Sequence, residues 1–198
     1  MHASEQDRED VRLARLNWKA HQHEWPAGKL VFIDETGLNT KMTRGYGRAL
    51  LSERFICKVP HGHWHTNTFI AALRVDGFHA AWLLDGPMNG KAFFVYVRQV
   101  LAPELKEGDR VIFDNLSSHH APGVRIAVEE VGASLMYLPP YSPDLNPIEM
   151  AFSKLKALMR KRIARELSEL VCAVGEILPS FAAQECRNLL CHTNYATN

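Results

Sequence analysis

"LVFID", residues 30–34, and "RVIFD", residues 110–114, are two short apolar runs that each lead directly to an aspartate. Continuous runs of large apolar residues are typical of strands buried on both faces of an α/β sheet. If the two strands are parallel neighbours, Asp34 and Asp114 stand about 5 Å apart, at the carboxyl edge where such sheets bind ligands. This pair of strands therefore predicts the fold class and the first candidate site.

The rest of the chain predicts helices around a mixed sheet. Apolar residues at helical spacing predict a first helix within residues 7–24, and Asp76-Gly77 is typical of a hairpin between two strands within residues 66–86. Residues 40–65 show no clear periodicity, so we expect a loop or an irregular hairpin there. Further elements are predicted as a strand over 134–139 and helices over 89–102, 121–131, 146–164, 167–178 and 181–191. We expect helix-linked strands to run parallel.

Length and composition bound the number of domains. The 198 residues, 46% of them hydrophobic, can form one well-buried core but are too few for two ordinary domains. We expect an N-terminal helix and linker over residues 1–27, a central domain over 28–165 and a C-terminal helical tail over 166–198 that packs on it. No apolar run approaches the length of a membrane span, and the first ten residues are polar and acidic, so we expect a soluble cytoplasmic protein.

The four cysteines lack the paired short spacing of a zinc ribbon. We interpret them as reduced thiols, because a chain of this length does not need disulfides to stabilise its core. A metal site that includes Cys191 and His192 is the weaker alternative.

The two aspartates predict a site for a cation. Two carboxylates about 5 Å apart repel by roughly 3 kcal/mol at an effective dielectric of about 20. A shared proton or a divalent cation would offset this repulsion, and oxygen ligands without a cysteine suit Mg²⁺ or Mn²⁺. The alternative is that each aspartate only caps the turn that follows its strand. Glu35 competes with Asp34, but neighbouring strand residues face opposite ways and the match with "RVIFD" favours Asp34.

A third carboxylate, Glu149, follows the stiff stretch "PPYSPDLNP", residues 139–147. One interpretation is a capping box, with Asn146 as the N-cap, Pro147 at the first helical position and Glu149 at the third. The other is a metal ligand that the rigid approach holds in place. Asp144 is the fallback ligand and is otherwise a turn residue.

Four segments together resemble a known family. They are "FIDET", "DGPMNGKAF", "GDRVIFDNLSSHH" and "LPPYSPDLNPIEMAFSKLK", in this order, with 34 residues between Asp114 and Glu149. Residues 28 to 165 resemble the catalytic domain of bacterial insertion-sequence transposases in the mariner-like group of the DDE superfamily. The resemblance implies a ribonuclease H-like fold with catalytic, metal-binding acids at Asp34, Asp114 and Glu149.

The resemblance also implies the reaction and the partners. It implies two Mg²⁺ ions, for which Mn²⁺ can substitute, with Asp34 bridging both and Asp114 and Glu149 each holding one. It implies cleavage of DNA at transposon ends and transfer into target DNA, usually at TA, by a homodimer or larger assembly. The protein would then be bacterial and nucleoid-associated when bound to DNA.

Two features of the sequence depart from the family pattern. Phe152 stands where many members have tryptophan, and residues 1–27 have no room for the helix-turn-helix DNA-binding region. That region is expected to be encoded separately or to be lost. The alternative function is accordingly an impaired or domesticated remnant that binds DNA without cutting it.

Candidate DNA contacts come from the basic stretch 154–165 and from two loops. The stretch contains six basic residues and no acid, which indicates either a solvated helix face or a track for phosphates. His119 is interpreted either as an exposed loop residue or as a residue that orients a ligand or touches the scissile phosphate. For His61, His63 and His65, a surface position or a DNA contact is favoured over zinc. The predicted DNA contacts are Asn115, His119, Arg44, Arg48, Lys154, Lys156, Arg160 and Lys161.

Overall fold

The structure, a computed structural model, describes residues 4–43, 48–54, 56 and 66–197. Its centre is a five-stranded mixed sheet in the order β3-β2-β1-β4-β5. The strands are β1 (Leu30–Asn39), β2 (Thr66–Arg74), β3 (Gly77–Asp85), β4 (Arg110–Phe113) and β5 (Ser134–Tyr137). The helices are α1 (Glu9–His21), α2 (Gly90–Tyr96), α3 (Val124–Glu129), α4 (Pro147–Arg162), α5 (Leu167–Ile177) and α6 (Ala183–His192). The predicted α/β class is confirmed.

Strand β1 joins the parallel and antiparallel halves of the sheet. It runs parallel to β4 from Leu30 to Ile33, which pairs with Phe113, and β4 in turn runs parallel to β5. It also runs antiparallel to β2 from Phe32 to Asn39. Strand β1 continues past Asp34, because its antiparallel pairing with β2 extends beyond its parallel pairing with β4. Asp34 and Asp114 both follow the last parallel pair, as predicted.

Alternation along β1 divides the core into two layers. Leu30, Phe32 and Leu38 face a layer built with α1, α4, α5 and α6, whereas Val31 and Ile33 face α2 and α3. Because side chains alternate along a strand, Asp34 belongs to the α4 face and Glu35 to the α2 face.

The remaining elements agree with the sequence in kind and differ in length. The hairpin at Asp76-Gly77 joins β2 to β3, and the two C-terminal helices lie on either side of Pro179. The helix predicted over 89–102 is α-helical only to Tyr96 and continues as a π-helix, Val97–Leu101. The helix predicted over 121–131 is shorter, and Gly132 adopts a positive φ of 77° after it. Within the described residues, every helix is too short or too polar to span a bilayer.

Candidate active site

Three acids that are far apart in the sequence line one cavity of about 390 Å³. Asp34 lies on the α4 face of β1, Asp114 directly follows β4, and Glu149 lies in the first turn of α4. One wall of the cavity is the stretch "PPYSPDLN", residues 139–146, which we call the proline loop. The sheet and the loop thus bring together the three side chains that the sequence predicted.

Asp34 is the most enclosed of the three carboxylates, with 5% of the residue exposed. The backbone N–H of Glu35 donates to its Oδ1 at 2.7 Å, and Asn146 Nδ2 donates to its Oδ2 at 2.9 Å. Burial, followed by the charges of Glu149 and Asp114, raises the pKa of Asp34 to about 8. Asp34 therefore lies where an ionised carboxylate is unfavourable without a cation.

Asn146 does not have the role that the sequence predicted. It precedes Pro147 at the start of α4, but its side chain makes no cap hydrogen bond, and the capping box with Glu149 is not formed. The amide donates to Asp34 instead, and its Oδ1 is buried with no hydrogen-bond partner among the described residues. A buried acceptor without a partner is costly, so its presence beside Asp34 indicates a polar site that is built for a ligand.

His119 links the second acid to the opposite side of β1. Its Nδ1 lies 2.6 Å from Asp114 Oδ1, and its Nε2 lies 2.7 Å from Glu35 Oε2. The imidazole is fully buried and stacks on Phe93 with ring centroids 4.2 Å apart. Burial alone would lower its pKa, but the hydrogen bonds to Asp114 and Glu35 outweigh burial and raise the pKa of His119 to about 10. Its side chain therefore lies between two carboxylates and holds Asp114 in place.

The structure decides two choices that the sequence left open. The predictions that His119 is exposed in a loop and that it contacts DNA were wrong, because the ring has no exposed surface. The choice between Asp34 and Glu35 follows the predicted alternation: Glu35 points away from the cavity and contacts His119.

Glu149 lies at the rim of the cavity and is the least constrained acid. Partial desolvation raises its pKa and Asp114 adds to this, whereas nearby Lys156 lowers it. No hydrogen-bond partner among the described residues holds its carboxylate. Asp144, the fallback ligand, is paired with Arg15 at 2.7 Å and is not part of the cavity lining.

The donor set suits a divalent cation, although the set is not closed. Three carboxylates and the unpartnered Asn146 Oδ1 supply the hard oxygen ligands that Mg²⁺ and Mn²⁺ prefer. In the described part of the chain, however, no group of three or more His, Cys, Asp or Glu side chains is yet close enough to hold one ion. The three carboxylates therefore do not form a closed ligand set in this arrangement.

Comparison with known proteins identifies the family. Residues 29–171 match the model of the family described as DDE superfamily endonuclease. The chain belongs to the DDE superfamily of endonucleases. No curated protein sequence compared with it matches.

Solved structures confirm the ribonuclease H-like fold of this DDE domain. The catalytic domain of Mos1 mariner transposase superimposes with a TM-score of 0.71 at 13% identity, covering 98% of this chain and 91% of that one. The Mos1 transposase paired-end complex with left transposon end gives a TM-score of 0.75 at 14% identity, covering 98% of this chain. The DDE chain spans only 60% of that longer Mos1 protein. At this identity, the likeness shows the shared fold.

The predicted DNA contacts on α4 separate into two groups around the helix. At about 100° per residue, Lys156 and Arg160 lie within about 20° of Glu149, whereas Lys154 and Lys161 lie about 140° and 120° away. Lys154 is paired with an acid, and its predicted DNA contact stays a prediction. Its Nζ contacts both carboxylate oxygens of Glu185 at 2.6 Å and lies 4.5 Å from the centroid of the Phe181 ring.

The other predicted contacts stay predictions. Lys161 and Arg48 are exposed, and Asn115 lies beside the cavity with its Oδ1 2.8 Å from Nε2 of His120. Arg44 falls outside the described residues, as do His61, His63 and His65.

A wider depression of about 1050 Å³ lies beyond the turn that follows Asp114. Lys91, Ser117, Ser118 and His120 are among its lining residues, and the described residues around it include no carboxylate. The chemistry of the site therefore belongs to the smaller cavity with the three acids.

Sequence reasoning missed the contacts made by Asn146 and the bridge from Glu35 through His119 to Asp114. Both were named in other roles, because each residue has a plausible local function in its own segment. The contact of Asn146 spans 112 positions in the sequence and that of His119 with Glu35 spans 84, so no local pattern could reveal them.

Proposed function

We propose that the chain is the catalytic domain of a transposase, a Mg²⁺-dependent DNA endonuclease and strand transferase with Asp34, Asp114 and Glu149 as its catalytic acids. The observation that carries the proposal is the convergence of these three acids on one cavity, where burial and then the charges of Glu149 and Asp114 raise the pKa of Asp34. Membership of the DDE endonuclease family and the Mos1-like fold support it.

Each of the three acids would have its own role in binding the metal ions. Asp34, fixed at both oxygens, and Asp114, fixed by His119, provide two anions in set positions. Glu149 would complete the ligand set from the rim when the site is loaded. When bound, two Mg²⁺ or Mn²⁺ ions supply an activated attacking oxygen and charge stabilisation at the leaving oxygen.

His119 and Glu35 would orient Asp114 without touching DNA. A carboxylate that accepts a hydrogen bond from a buried side chain is held in one orientation. Residues that orient a metal ligand in this way commonly affect metal affinity. We therefore propose His119 as a positioning residue for Asp114, in place of its predicted role as a DNA contact.

DNA would approach along the exposed side of α4. Lys156 and Arg160 share the Glu149 side of the helix, so a DNA strand whose phosphates bind there would run toward the cavity. Solved complexes of Mos1 include transposon-end DNA, a strand transfer complex, and forms with Mg and with Mn. By analogy, transposon ends, TA targets and a homodimer on DNA belong to this proposal.

One second function has an observation in its favour. The described acids do not form a closed ligand set, which fits a remnant that binds DNA without cutting it. The presence of all three acids in one cavity favours the enzyme.

A plasmid assay discriminates between the two functions. Supercoiled DNA is incubated with the chain and Mg²⁺, and nicked and linear products are measured for the wild type, Asp114→Asn and Asp76→Asn. Asp76 receives the same chemical change but lies at the exposed hairpin turn, bonded to His79. We expect product from the wild type and Asp76→Asn and none above background from Asp114→Asn. Equal product from all three proteins would contradict the proposed enzymatic function. DNA binding by the wild type without any cleavage product would favour the alternative, a remnant that binds DNA without cutting it.

A further inference from the structure

Arg15 joins helix α1 to the proline loop by a forked contact. Its guanidinium donates to both carboxylate oxygens of Asp144, at 2.8 and 2.7 Å, and to Ser142 Oγ at 2.7 Å. The side chain is only 13% exposed, and its hydrogen bond lowers the pKa of Asp144. Paired hydrogen bonds of this kind fix direction as well as distance, which a single charge on a flexible side chain does not.

The same face of α1 reaches the loop by a second, buried route. Arg15 and Trp18 follow one another at helical spacing in α1, so they share a side of the helix. Trp18 Nε1 donates to the hydroxyl of Tyr195 at 2.7 Å, and that hydroxyl donates to the carbonyl of Leu145 at 2.8 Å. The far end of the loop is therefore tied to α1 through the C-terminal segment.

The loop contains a residue that needs such support. Tyr141 lines the cavity and has a φ of 55°, in the left-handed region that bulky side chains rarely adopt. Gln6, just before α1, donates its side-chain N–H to the carbonyl of Tyr141. A strained backbone persists where its surroundings hold it, and strained residues are concentrated at functional sites.

The supported loop ends on a residue that contacts the acid site. Asn146 is its last residue and donates to Asp34 Oδ2 at 2.9 Å. We propose that helix α1 fixes the proline loop and, through Asn146, the carboxylate of Asp34, with Arg15 as the positioning residue. This inference rests on the proposed function of the cavity for its effect on the reaction, but the hold on the loop is independent of it.

The test compares Arg15→Gln and Arg15→Lys with the control Arg162→Gln in the full chain. Arg162 also makes an ion pair between two helices, with Glu176 at 3.0 Å, but it lies away from the loop. Three quantities are measured: hydrogen–deuterium exchange of peptides covering residues 139–149 in EDTA, Mn²⁺ affinity by calorimetry, and kcat and KM for plasmid cleavage. The melting temperature in EDTA is recorded to account for global stability.

We expect Arg15→Gln to accelerate exchange in the proline loop and to weaken Mn²⁺ affinity and kcat about tenfold, with KM for DNA little changed. Arg15→Lys keeps the charge without the fork and should fall between Arg15→Gln and the wild type. Arg162→Gln should leave loop exchange and Mn²⁺ affinity unchanged.

Two results would overturn the proposal. One is unchanged loop exchange in Arg15→Gln. The other is faster loop exchange with wild-type Mn²⁺ affinity, since the loop would then not govern Asp34. If the first result comes with a lower melting temperature, Arg15 has a purely structural role and the proposal is still overturned. If the wild type neither binds Mn²⁺ nor cuts DNA, the proposed function fails, and the exchange result alone decides whether Arg15 holds the loop.

Discussion

The position of Asp34 on a strand could be predicted from the sequence, whereas the groups that surround its carboxylate could not. The apolar run before it and its match with "RVIFD" predicted a strand aspartate beside Asp114, and the parallel register confirms this. One of its two hydrogen bonds comes from the neighbouring backbone N–H of Glu35, but the other comes from Asn146 of the proline loop, 112 positions away, and leaves no local pattern. The N-cap expected of Asn146 failed for the same reason, because the amide is used by Asp34 instead.

Replacing Asn146 tests the contact with Asp34. We expect Asn146→Ala to lower Mg²⁺-dependent cleavage about 10- to 100-fold, in the range found for residues that orient metal ligands. Stability should change little, because the substitution also removes the buried Oδ1 that has no partner. Cleavage rates and melting temperatures separate the two effects. Asn188→Ala, which removes an exposed amide bonded to Gln184, is the control and should retain full activity. Wild-type cleavage by Asn146→Ala would show that this contact is not needed.

Replacing Asp34 tests how much its ionised carboxylate lowers the free energy of unfolding when no metal is bound. Its pKa of about 8 in the folded chain lies above its ordinary 3.8, so the folded state binds the proton more tightly than the unfolded state. This contribution to the free energy of unfolding is fully present below pH 3.8 and is lost as the pH rises to about 8. In EDTA, Asp34→Asn should match the wild type near pH 4 and melt several degrees higher at pH 8.

The difference between the two proteins isolates Asp34, because His119 and the other ionisable groups are present in both. Melting temperatures across this pH range are the measurement. A difference that does not grow with pH would show that burial beside Glu149 and Asp114 does not destabilise the ionised carboxylate.

Helix α4 combines the third acid with a row of cations, and its sequence predicted this only in part. Its start at Pro147 and its basic residues were predicted correctly, and its period identifies the side that carries Glu149, Lys156 and Arg160. The ion pair of Lys154 with Glu185 could not be predicted, because it depends on how α6 packs against α4.

Salt dependence tests the proposed DNA side of α4. Changing both Lys156 and Arg160 to alanine should weaken binding to duplex DNA of any sequence and reduce the slope of log affinity against log salt by up to about 2. Lys154→Ala is the control: its cation is already paired, so the slope should stay the same while stability falls. Fluorescence anisotropy over a range of salt concentrations gives both slopes. An equal reduction of the slope in Lys154→Ala would mean that DNA does not bind preferentially to the side of α4 that carries Lys156 and Arg160.

At the scale of the whole molecule, the core extends beyond the limits predicted for the central domain. Trp18 of the N-terminal helix, Phe32 of the sheet and Tyr195 of the C-terminal segment belong to one buried cluster. The sequence indicated a single core from length and composition, and the tail was expected to pack on it. The division at residues 27 and 165 stays a prediction, since a shared core does not decide whether either segment folds separately.

Two substitutions in the C-terminal helices test whether they unfold together with the sheet. Leu190→Ala removes a fully buried side chain from α6 and should lower the free energy of unfolding by about 2–5 kcal/mol. Val171→Ala changes a side chain of α5 that is 51% exposed and should stay within about 0.5 kcal/mol of the wild type. Urea unfolding followed by circular dichroism should show one transition in each protein. If Leu190→Ala gives a separate early transition while the main one is unshifted, the tail is an independent unit.

The central claim is that Asp34, Asp114 and Glu149 hold divalent ions together in one cavity. A crystal of the chain soaked in Mn²⁺, measured at the manganese absorption edge, tests it most directly. The account predicts anomalous peaks bordered by all three carboxylates, with Glu149 turned inward from the rim, and no such peaks in crystals of Asp114→Asn. Manganese bound only elsewhere, or ligated without Glu149 in the wild type, would contradict it.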